Sequence, residues 1–141
     1  GIKYNVIEDI SIQNGVTSAL GFEYQVLDDD KHKDNLNPTH RVASLYDMIE
    51  ANGKTVKPVG EFNFAKIIFN DNHGEHWLNG AKVVEYDLDT SEFEKVFKNS
   101  KYKDKKEFTK HKLAHIVLQD HNDDCWYRNI KIRDLDKVRL R

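Results

Sequence analysis

The sequence predicts an all-β protein, an antiparallel sandwich or jelly roll with one short helix. Hydrophobic residues alternate with polar ones along several segments, and an Asn-Gly pair at residues 79–80 lies between two strand-like runs. The apolar fraction of 38% is low and the charged fraction of 33% is high. A sheet with one solvated face therefore suits this chain better than a parallel sheet covered by helices on both sides.

Strands are predicted wherever the period of two is clear. Residues 2–7 form one such segment, and residues 21–27 form a second. The second segment places alternate residues on opposite faces, Phe22, Tyr24 and Val26 on a buried face and Glu23, Gln25 and Leu27 on a solvated one. Further strands are predicted over residues 42–49, 62–70, 113–119 and 126–133.

The Asn-Gly pair predicts a two-residue hairpin. Asn79 and Gly80 both tolerate the positive φ that a type I′ turn requires, and this turn matches the twist of the flanking strands. One short helix is predicted between residues 90 and 100, because Phe93, Val96 and Phe97 follow helical spacing. Thr90 or Ser91 can cap this helix, and Glu94 lies three residues after Ser91, as in a capping box.

Length and charge restrict the class of protein. The 141 residues correspond to a single domain, and 22 basic against 24 acidic residues give a net charge of -2. This balance disfavours nucleic acid and anionic membranes as partners, and no apolar run is long enough to insert into a bilayer. The first residues lack the basic segment followed by an apolar segment that a signal peptide has. The lone Cys125 has no partner for a disulfide, and the neighbouring aromatic residues predict a thiol packed in the core.

Several common chemistries lack their signature in this sequence. It has no Gly-rich nucleotide loop, no Gly-x-Ser-x-Gly and no His-Glu-x-x-His. Residues 73–76, His-Gly-Glu-His, offer three candidate metal ligands, but on a strand His73 and Glu75 would point to one side and His76 to the other, so no metal site is predicted. The lysine-rich run at residues 101–112 is typical of a solvated loop.

Polar groups at strand positions offer a better candidate site. Glu23 and Gln25 share a face about 7 Å apart, although a solvent-facing strand explains the same pattern. Near the C-terminus, Asp120 and His121 end one predicted strand, and Trp126 and Arg128 begin the next. An aromatic ring, a carboxylate, an imidazole and a guanidinium are typical of carbohydrate sites, because sugars present C–H faces and hydroxyl groups.

Five stretches in collinear order resemble the 3-keto-disaccharide hydrolase domain family. They are residues 23–28 (EYQVLD), 57–63 (KPVGEFN), 75–80 (EHWLNG), 118–121 (LQDH) and 126–133 (WYRNIKIR). The resemblance covers almost the whole chain. It implies a concanavalin A-like jelly-roll sandwich and a secreted or periplasmic protein of bacteria that degrade glycans.

The resemblance also implies a reaction on glycosides oxidised at C3 of a sugar ring. The ketone acidifies the C2–H bond, so a base can remove that proton and the glycosidic oxygen can leave from C1 by elimination. We expect Glu23, Asp120 and His121 to be the titratable members of this site, and the substrate contacts to come from Gln25, Tyr46, Trp126 and Arg128. No cofactor is expected, and a role for a divalent cation stays open.

Three alternatives remain at this point. Glu23 and Asp120 could instead act as the two carboxylates of a hydrolysis, or the sandwich could be a carbohydrate-binding module without turnover. The third alternative is a structural accessory domain whose site has decayed. Members of the family normally have several dozen residues before the point where this chain begins. We therefore expect a second copy of the chain, or another polypeptide carrying the missing strands, to cover an exposed sheet edge.

Overall fold

Among the residues that the structure describes, the fold consists of two three-stranded antiparallel sheets and one α-helix. The structure is a computed structural model that describes residues 1–7, 19–109 and 114–135. In chain order the strands are β1 (Ile2–Val6), β2 (Phe22–Tyr24), β3 (Ala65–Asn70), β4 (His73–Leu78), β5 (Ala81–Asp87) and β6 (His115–Leu118). The first sheet has the order β2-β1-β6 and the second has the order β3-β4-β5. The helix α1 spans Ser91–Asn99, and single 3-10 turns occupy Lys33–Leu36, Pro38–His40 and Lys106–Thr109.

An aromatic layer joins the two sheets. Tyr4 and Phe22 of the first sheet lie 5.6 Å from Phe69 of the second sheet between ring centroids. Phe22 also lies 5.7 Å from Tyr86 and is fully buried. Side chains from both sheets therefore interdigitate over one core, and the predicted all-β sandwich of antiparallel strands is confirmed.

A chain of hydrogen bonds runs through this core. The Tyr4 hydroxyl lies 2.7 Å from His76 Nε2 and 2.8 Å from the Tyr86 hydroxyl, and His76 Nδ1 lies 2.8 Å from the Ala43 carbonyl. A carbonyl only accepts, so Nδ1 carries the proton and donates to Ala43. Burial lowers the pKa of His76 to about 4, so the ring is neutral and Nε2 accepts from Tyr4, which in turn accepts from Tyr86.

The predicted hairpin is confirmed. Leu78 pairs with Ala81, so Asn79 and Gly80 form a two-residue turn, with φ of 50° and 90°. The Asn79 side chain accepts from the Phe64 backbone N–H at 2.8 Å, and its backbone N–H donates to the Phe64 carbonyl. The turn thus also fixes the approach of the chain to β3.

The predicted helix is confirmed, but its cap differs from the capping box. Thr90 is the N-cap residue, and its hydroxyl accepts from the Phe93 backbone N–H at 3.2 Å. Glu94 is therefore one position too far along to complete a reciprocal box with this cap, and its backbone N–H makes the ordinary helical bond to Thr90. Phe93 and Phe97 bury the apolar face of α1 in the core.

Three sequence-based predictions need correction. Residues 42–49 are apolar because they are buried, yet they form tight turns rather than a strand, with positive φ at Ala43 and Asp47. Residues 126–133 form no strand, and Ile130 and Ile132 are exposed there. Cys125 is exposed rather than packed in the core, because its segment lies on the surface.

The other predicted strands are shorter than expected. Strand β3 begins at Ala65 rather than residue 62, and β6 begins at His115, while residue 113 lies outside the described residues. Among the described residues, helices are too short or too polar to cross a bilayer. The expected second copy or additional polypeptide stays a prediction.

The hydrogen-bond chain predicts unequal costs for two conservative substitutions. Tyr4→Phe leaves the buried His76 acceptor and the Tyr86 hydroxyl without a partner, so we expect a loss of about 2–3 kcal/mol in the free energy of unfolding. Tyr86→Phe removes only the last donor, and we expect a loss of about 1 kcal/mol. Urea denaturation at neutral pH measures both losses of free energy. Equal losses, or a larger loss for Tyr86→Phe, would contradict the central position of Tyr4 in the hydrogen-bond chain.

Gly74 permits the position of Tyr86. The two residues pair across β4 and β5, and a Cβ on Gly74 would collide with the Tyr86 ring. We expect Gly74→Ala to lower the free energy of unfolding by about 1–3 kcal/mol, because the ring must move away from Tyr4. The same substitution should cost much less in a Tyr86→Ala background. A cost independent of residue 86 in this double-mutant cycle would show that the collision is not the cause.

Candidate active site

The outer face of the first sheet carries a buried ion pair. Lys3 of β1 pairs in register with Glu23 of β2, and Lys3 Nζ lies 3.6 Å from Glu23 Oε2. Their neighbours Tyr4 and Phe22 point into the core, so both charged side chains point to the opposite side of the sheet. Glu23 is only 4% exposed and Lys3 only 5%. The prediction of a solvated face on β2 is therefore wrong.

A segment beyond β2 pairs with its edge. The Tyr46 backbone N–H donates to the Glu23 carbonyl at 3.0 Å, and the Gln25 N–H donates to the Ser44 carbonyl at 3.2 Å. The Ala43 N–H donates to the Gln25 carbonyl at 2.8 Å. Residues 43–46 thus lie alongside β2 and satisfy the backbone groups of its outer edge.

Gly1 approaches Glu23 from the other side. A Cβ at this position would meet the Glu23 carboxylate, so the backbone of Gly1 packs directly against that side chain. The Gly1 carbonyl accepts from the Gln119 backbone N–H at 2.9 Å and from the Tyr127 hydroxyl at 3.1 Å. The segment that follows β6 therefore comes close to Glu23 through Tyr127.

A lysine between two phenol rings completes the cluster. The Lys101 ammonium lies 4.1 Å from the centroid of the Tyr46 ring and 5.0 Å from that of Tyr102. Although much of the residue is open to solvent, partial burial of the ammonium lowers the pKa of Lys101, against the attraction of Glu23 and Asp47. Burial likewise raises the pKa of both phenols, and the charge of Glu23 acts in the same direction.

His40 supports this arrangement from beneath Tyr46. The two rings stack with centroids 4.3 Å apart, and His40 bonds Asp34 through Nδ1 at 2.8 Å and Asp47 through Nε2 at 2.9 Å. Burial acts to lower the pKa of His40, but hydrogen bonds to Asp47 and Asp34 outweigh it and raise the pKa. Asp47 also accepts from the Lys101 backbone N–H at 2.6 Å, so His40 and Lys101 are held by one carboxylate.

We call Lys3, Glu23, Tyr46, Lys101 and Tyr102 the Glu23 cluster. It combines one carboxylate that can accept a proton with two ammonium groups that can stabilise a developing negative charge. The ring of Tyr46 is half-buried, with His40 against one face and the Lys101 ammonium over the other.

The structure brings together only part of the predicted site. Glu23 and Tyr46 are neighbours, as the backbone bond between them shows. Gln25 is buried near them, but its side-chain oxygen accepts from the adjacent Val26 N–H at 3.1 Å.

The C-terminal candidates have other partners. The Asp120 carboxylate accepts from the Asn122 N–H at 3.2 Å within a turn, and the Arg128 guanidinium lies 3.8 Å above the Phe62 ring. His121 and Trp126 are exposed on the same segment. The roles assigned to these side chains stay predictions.

Several members of the cluster were missed in the sequence. Lys3 can be found only once the register of β1 against β2 is known, since it then lies opposite Glu23. Lys101 begins the lysine-rich run at residues 101–112, which has the pattern of a solvated loop. Nothing in the local sequence distinguishes Lys101 from the other lysines of this run. His40 lies in a loop, and its two carboxylate partners become visible only in three dimensions.

Comparison with known proteins identifies the family. Residues 1–133 match the family described as the 3-keto-alpha-glucoside-1,2-lyase-like domain. The chain belongs to this family. The resemblance to 3-keto-disaccharide hydrolases that the sequence motifs indicated is thereby confirmed.

Two similar proteins have names that refer to glycoside cleavage. A protein of Bacteroides thetaiotaomicron named 3-keto-disaccharide hydrolase is 38% identical over 127 residues, which cover 81% of this chain and 44% of the relative. A crystal structure of a candidate glycosyl hydrolase from Parabacteroides distasonis superimposes with a TM-score of 0.53 at 27% identity. That match covers 60% of this chain and 42% of the other. The lyase-like domain thus spans less than half the length of these relatives.

The position of His40 between two carboxylates predicts a pH-dependent contribution to stability. Its pKa is raised above the ordinary value of 6.5, so the stabilisation is complete below that pH and is lost as the pH rises through the folded-state value. We expect His40→Gln to destabilise the domain more at about pH 5.5 than at about pH 9, measured by urea denaturation. A destabilisation by His40→Gln that is equal at both pH values, or larger at pH 9, would contradict the pairing of His40 with Asp34 and Asp47.

Proposed function

We propose that the lyase-like domain binds a glycoside oxidised at C3 and cleaves its glycosidic bond, with the Glu23 cluster as the reacting site. The observation that carries the proposal is a buried carboxylate 3.6 Å from one ammonium, with a second ammonium over the ring of the neighbouring Tyr46. Membership of the family and the name of the Bacteroides thetaiotaomicron relative support a 3-keto-glycoside as substrate.

The chemistry of a 3-keto sugar explains why such a set of groups is useful. The ketone acidifies the C2–H bond, and removal of that proton places negative charge on the C3 oxygen as an enolate. The electron pair then forms the C1–C2 double bond while the glycosidic oxygen leaves C1 and takes a proton. Addition of water to the double bond completes a net hydrolysis.

In this proposal Glu23 removes the C2 proton and Lys101 stabilises the enolate oxygen. Lys3 holds the Glu23 carboxylate in one orientation through the ion pair. Tyr46 contacts the substrate with the edge of its ring, because His40 and the Lys101 ammonium occupy its two faces. Among the described residues, the exposed side chains of Asp120, His121, Trp126 and Arg128 are available to the leaving group, and we propose them as its contacts.

A carbohydrate-binding module is the second candidate function. One observation favours it, because Trp126 is 71% exposed, and Arg128 stacks on Phe62 in the same part of the chain. Exposed aromatic rings with a neighbouring guanidinium are suited to binding sugar faces without any reaction.

Turnover of oxidised and unoxidised glycosides distinguishes the enzyme from the carbohydrate-binding module. We expect the protein to release the aglycone from a chromogenic 3-keto-glycoside and not from its unoxidised counterpart. Glu23→Gln should lower kcat/KM at least 100-fold, because a general base is lost, and Glu92→Gln on the exposed side of α1 should leave it unchanged.

A second variant is needed in case Glu23→Gln does not fold. Glu23→Gln leaves the buried Lys3 without its partner, so circular dichroism must first show that this variant is folded. Lys101→Met keeps the ion pair intact and should also reduce turnover at least tenfold. Full activity in both folded variants would overturn the assignment of the site, and saturable binding of unoxidised glycans without turnover of either substrate would favour the binding module.

A further inference from the structure

The outer face of the second sheet carries a second cluster of titratable groups, separate from the Glu23 cluster. Strands β4 and β5 pair so that Glu75 lies opposite Glu85 and His73 lies opposite Asp87. His73 Nε2 lies 3.4 Å from Glu75 Oε1 and 3.6 Å from Glu85 Oε1. One nitrogen and two oxygen atoms, all within 4.8 Å of one another, therefore meet on this face. We call His73, Glu75 and Glu85 the His73 cluster.

These separations agree with the geometry of a tetrahedral metal centre. Ligand atoms that lie about 2.0–2.1 Å from a zinc ion in tetrahedral directions are about 3.3 Å apart from one another. The two separations measured from His73 Nε2 differ from this value by a few tenths of an ångström. The glutamate oxygens lie no more than 4.8 Å apart, and the exposed Glu85 side chain is free to rotate toward a bonding distance.

Outer contacts orient two of the three ligands. His73 Nδ1 donates to Asp87 Oδ1 at 2.7 Å, which directs Nε2 toward the two glutamates. Trp77 Nε1 donates to Glu75 Oε2 at 2.6 Å, which leaves Glu75 Oε1 for the cluster. A carboxylate behind a histidine ligand and a donor behind a carboxylate ligand are the outer contacts that metal centres in proteins typically have.

A cation already lies at this position. The Lys82 ammonium lies 2.7 Å from Glu85 Oε1 and 3.5 Å from Glu75 Oε1, the same two oxygens that face His73. Lys82 is a long and exposed side chain, so it can leave the cluster without disturbing the sheet. The two carboxylates therefore attract positive charge, and a metal ion would compete with this ammonium.

We propose that His73, Glu75 and Glu85 bind a zinc ion on the outer face of the second sheet. One imidazole with two carboxylates suits zinc, whereas calcium and magnesium prefer sites made of oxygen alone. His73 and Glu85 are partly open to solvent, so the fourth position faces water.

The position of this site on the sandwich indicates its role. His76 lies between Glu75 and Trp77 in β4 and points into the core, so the His73 cluster and the Glu23 cluster lie on opposite outer faces. A zinc ion here joins β4 to β5 and stabilises the hairpin. The inference is independent of the proposed reaction.

Calorimetric titration of the chelator-treated protein with zinc chloride tests this inference. We expect one site of micromolar or tighter affinity in the wild type, with calcium chloride binding at least 100-fold more weakly. Glu85→Gln should weaken zinc binding at least tenfold, and His73→Gln should weaken it further by removing the nitrogen ligand. Lys82→Met should strengthen binding several-fold, since it removes the competing ammonium.

Matched variants and a spectrum complete the test. Glu92→Gln and Lys98→Met, which change the same residue types on α1, should leave the zinc affinity unchanged. Cobalt bound to the wild type should give the intense visible absorption of a tetrahedral ion, and His73→Gln should abolish it. Zinc binding that survives His73→Gln and Glu85→Gln undiminished, an affinity weaker than millimolar, or no effect of Lys82→Met would overturn the inference.

Discussion

The structure depends on one buried hydrogen-bond chain that runs from Tyr86 through Tyr4 and His76 to the Ala43 carbonyl. The direction of every bond in this chain is fixed, because the carbonyl at one end can only accept. The chain joins β1 of the first sheet to β4 and β5 of the second and to the segment that follows β2. A sandwich with a low apolar fraction thus obtains part of its specificity from polar groups that are fully satisfied in the core.

The same chain positions the candidate active site. His76 fixes the Ala43 carbonyl from inside the core, and residues 43–46 then lie along β2 with the Tyr46 N–H bonded to Glu23. Asp47 follows directly and holds both His40 and the backbone of Lys101. The polar outer face of the first sheet is therefore ordered by a contact that lies on its inner side.

Much of the fold could be predicted from local pattern, and most of the site could not. The Asn79–Gly80 hairpin and the helix that Thr90 caps follow from residue types at short spacing, which act wherever the chain lies. Residues 42–49 have the apolar character of a strand, but positive φ at Ala43 and Asp47 bends them into turns. The hydrogen bond from His76 to the Ala43 carbonyl helps to hold these turns, and it is a tertiary contact that local sequence does not reveal. The strand pattern predicts Glu23 as a site residue. Lys3 lies opposite Glu23 because of the register of β1 against β2, and Lys101 joins the cluster through its tertiary contact with Tyr46. Alternation correctly placed His73 and Glu75 opposite His76, and the pairing of β4 with β5 then added Glu85.

The state of the His76 ring is the most direct test of this account. Its two nitrogen-15 chemical shifts, followed by NMR as the pH is lowered from about 8 to about 5, report the tautomer and the charge of the ring. We expect the His76 ring to be neutral and protonated at Nδ1 throughout this range, because burial lowers its pKa to about 4. A proton on Nε2, or a titration near the ordinary value of 6.5, would show that the hydrogen-bond chain does not hold the core together.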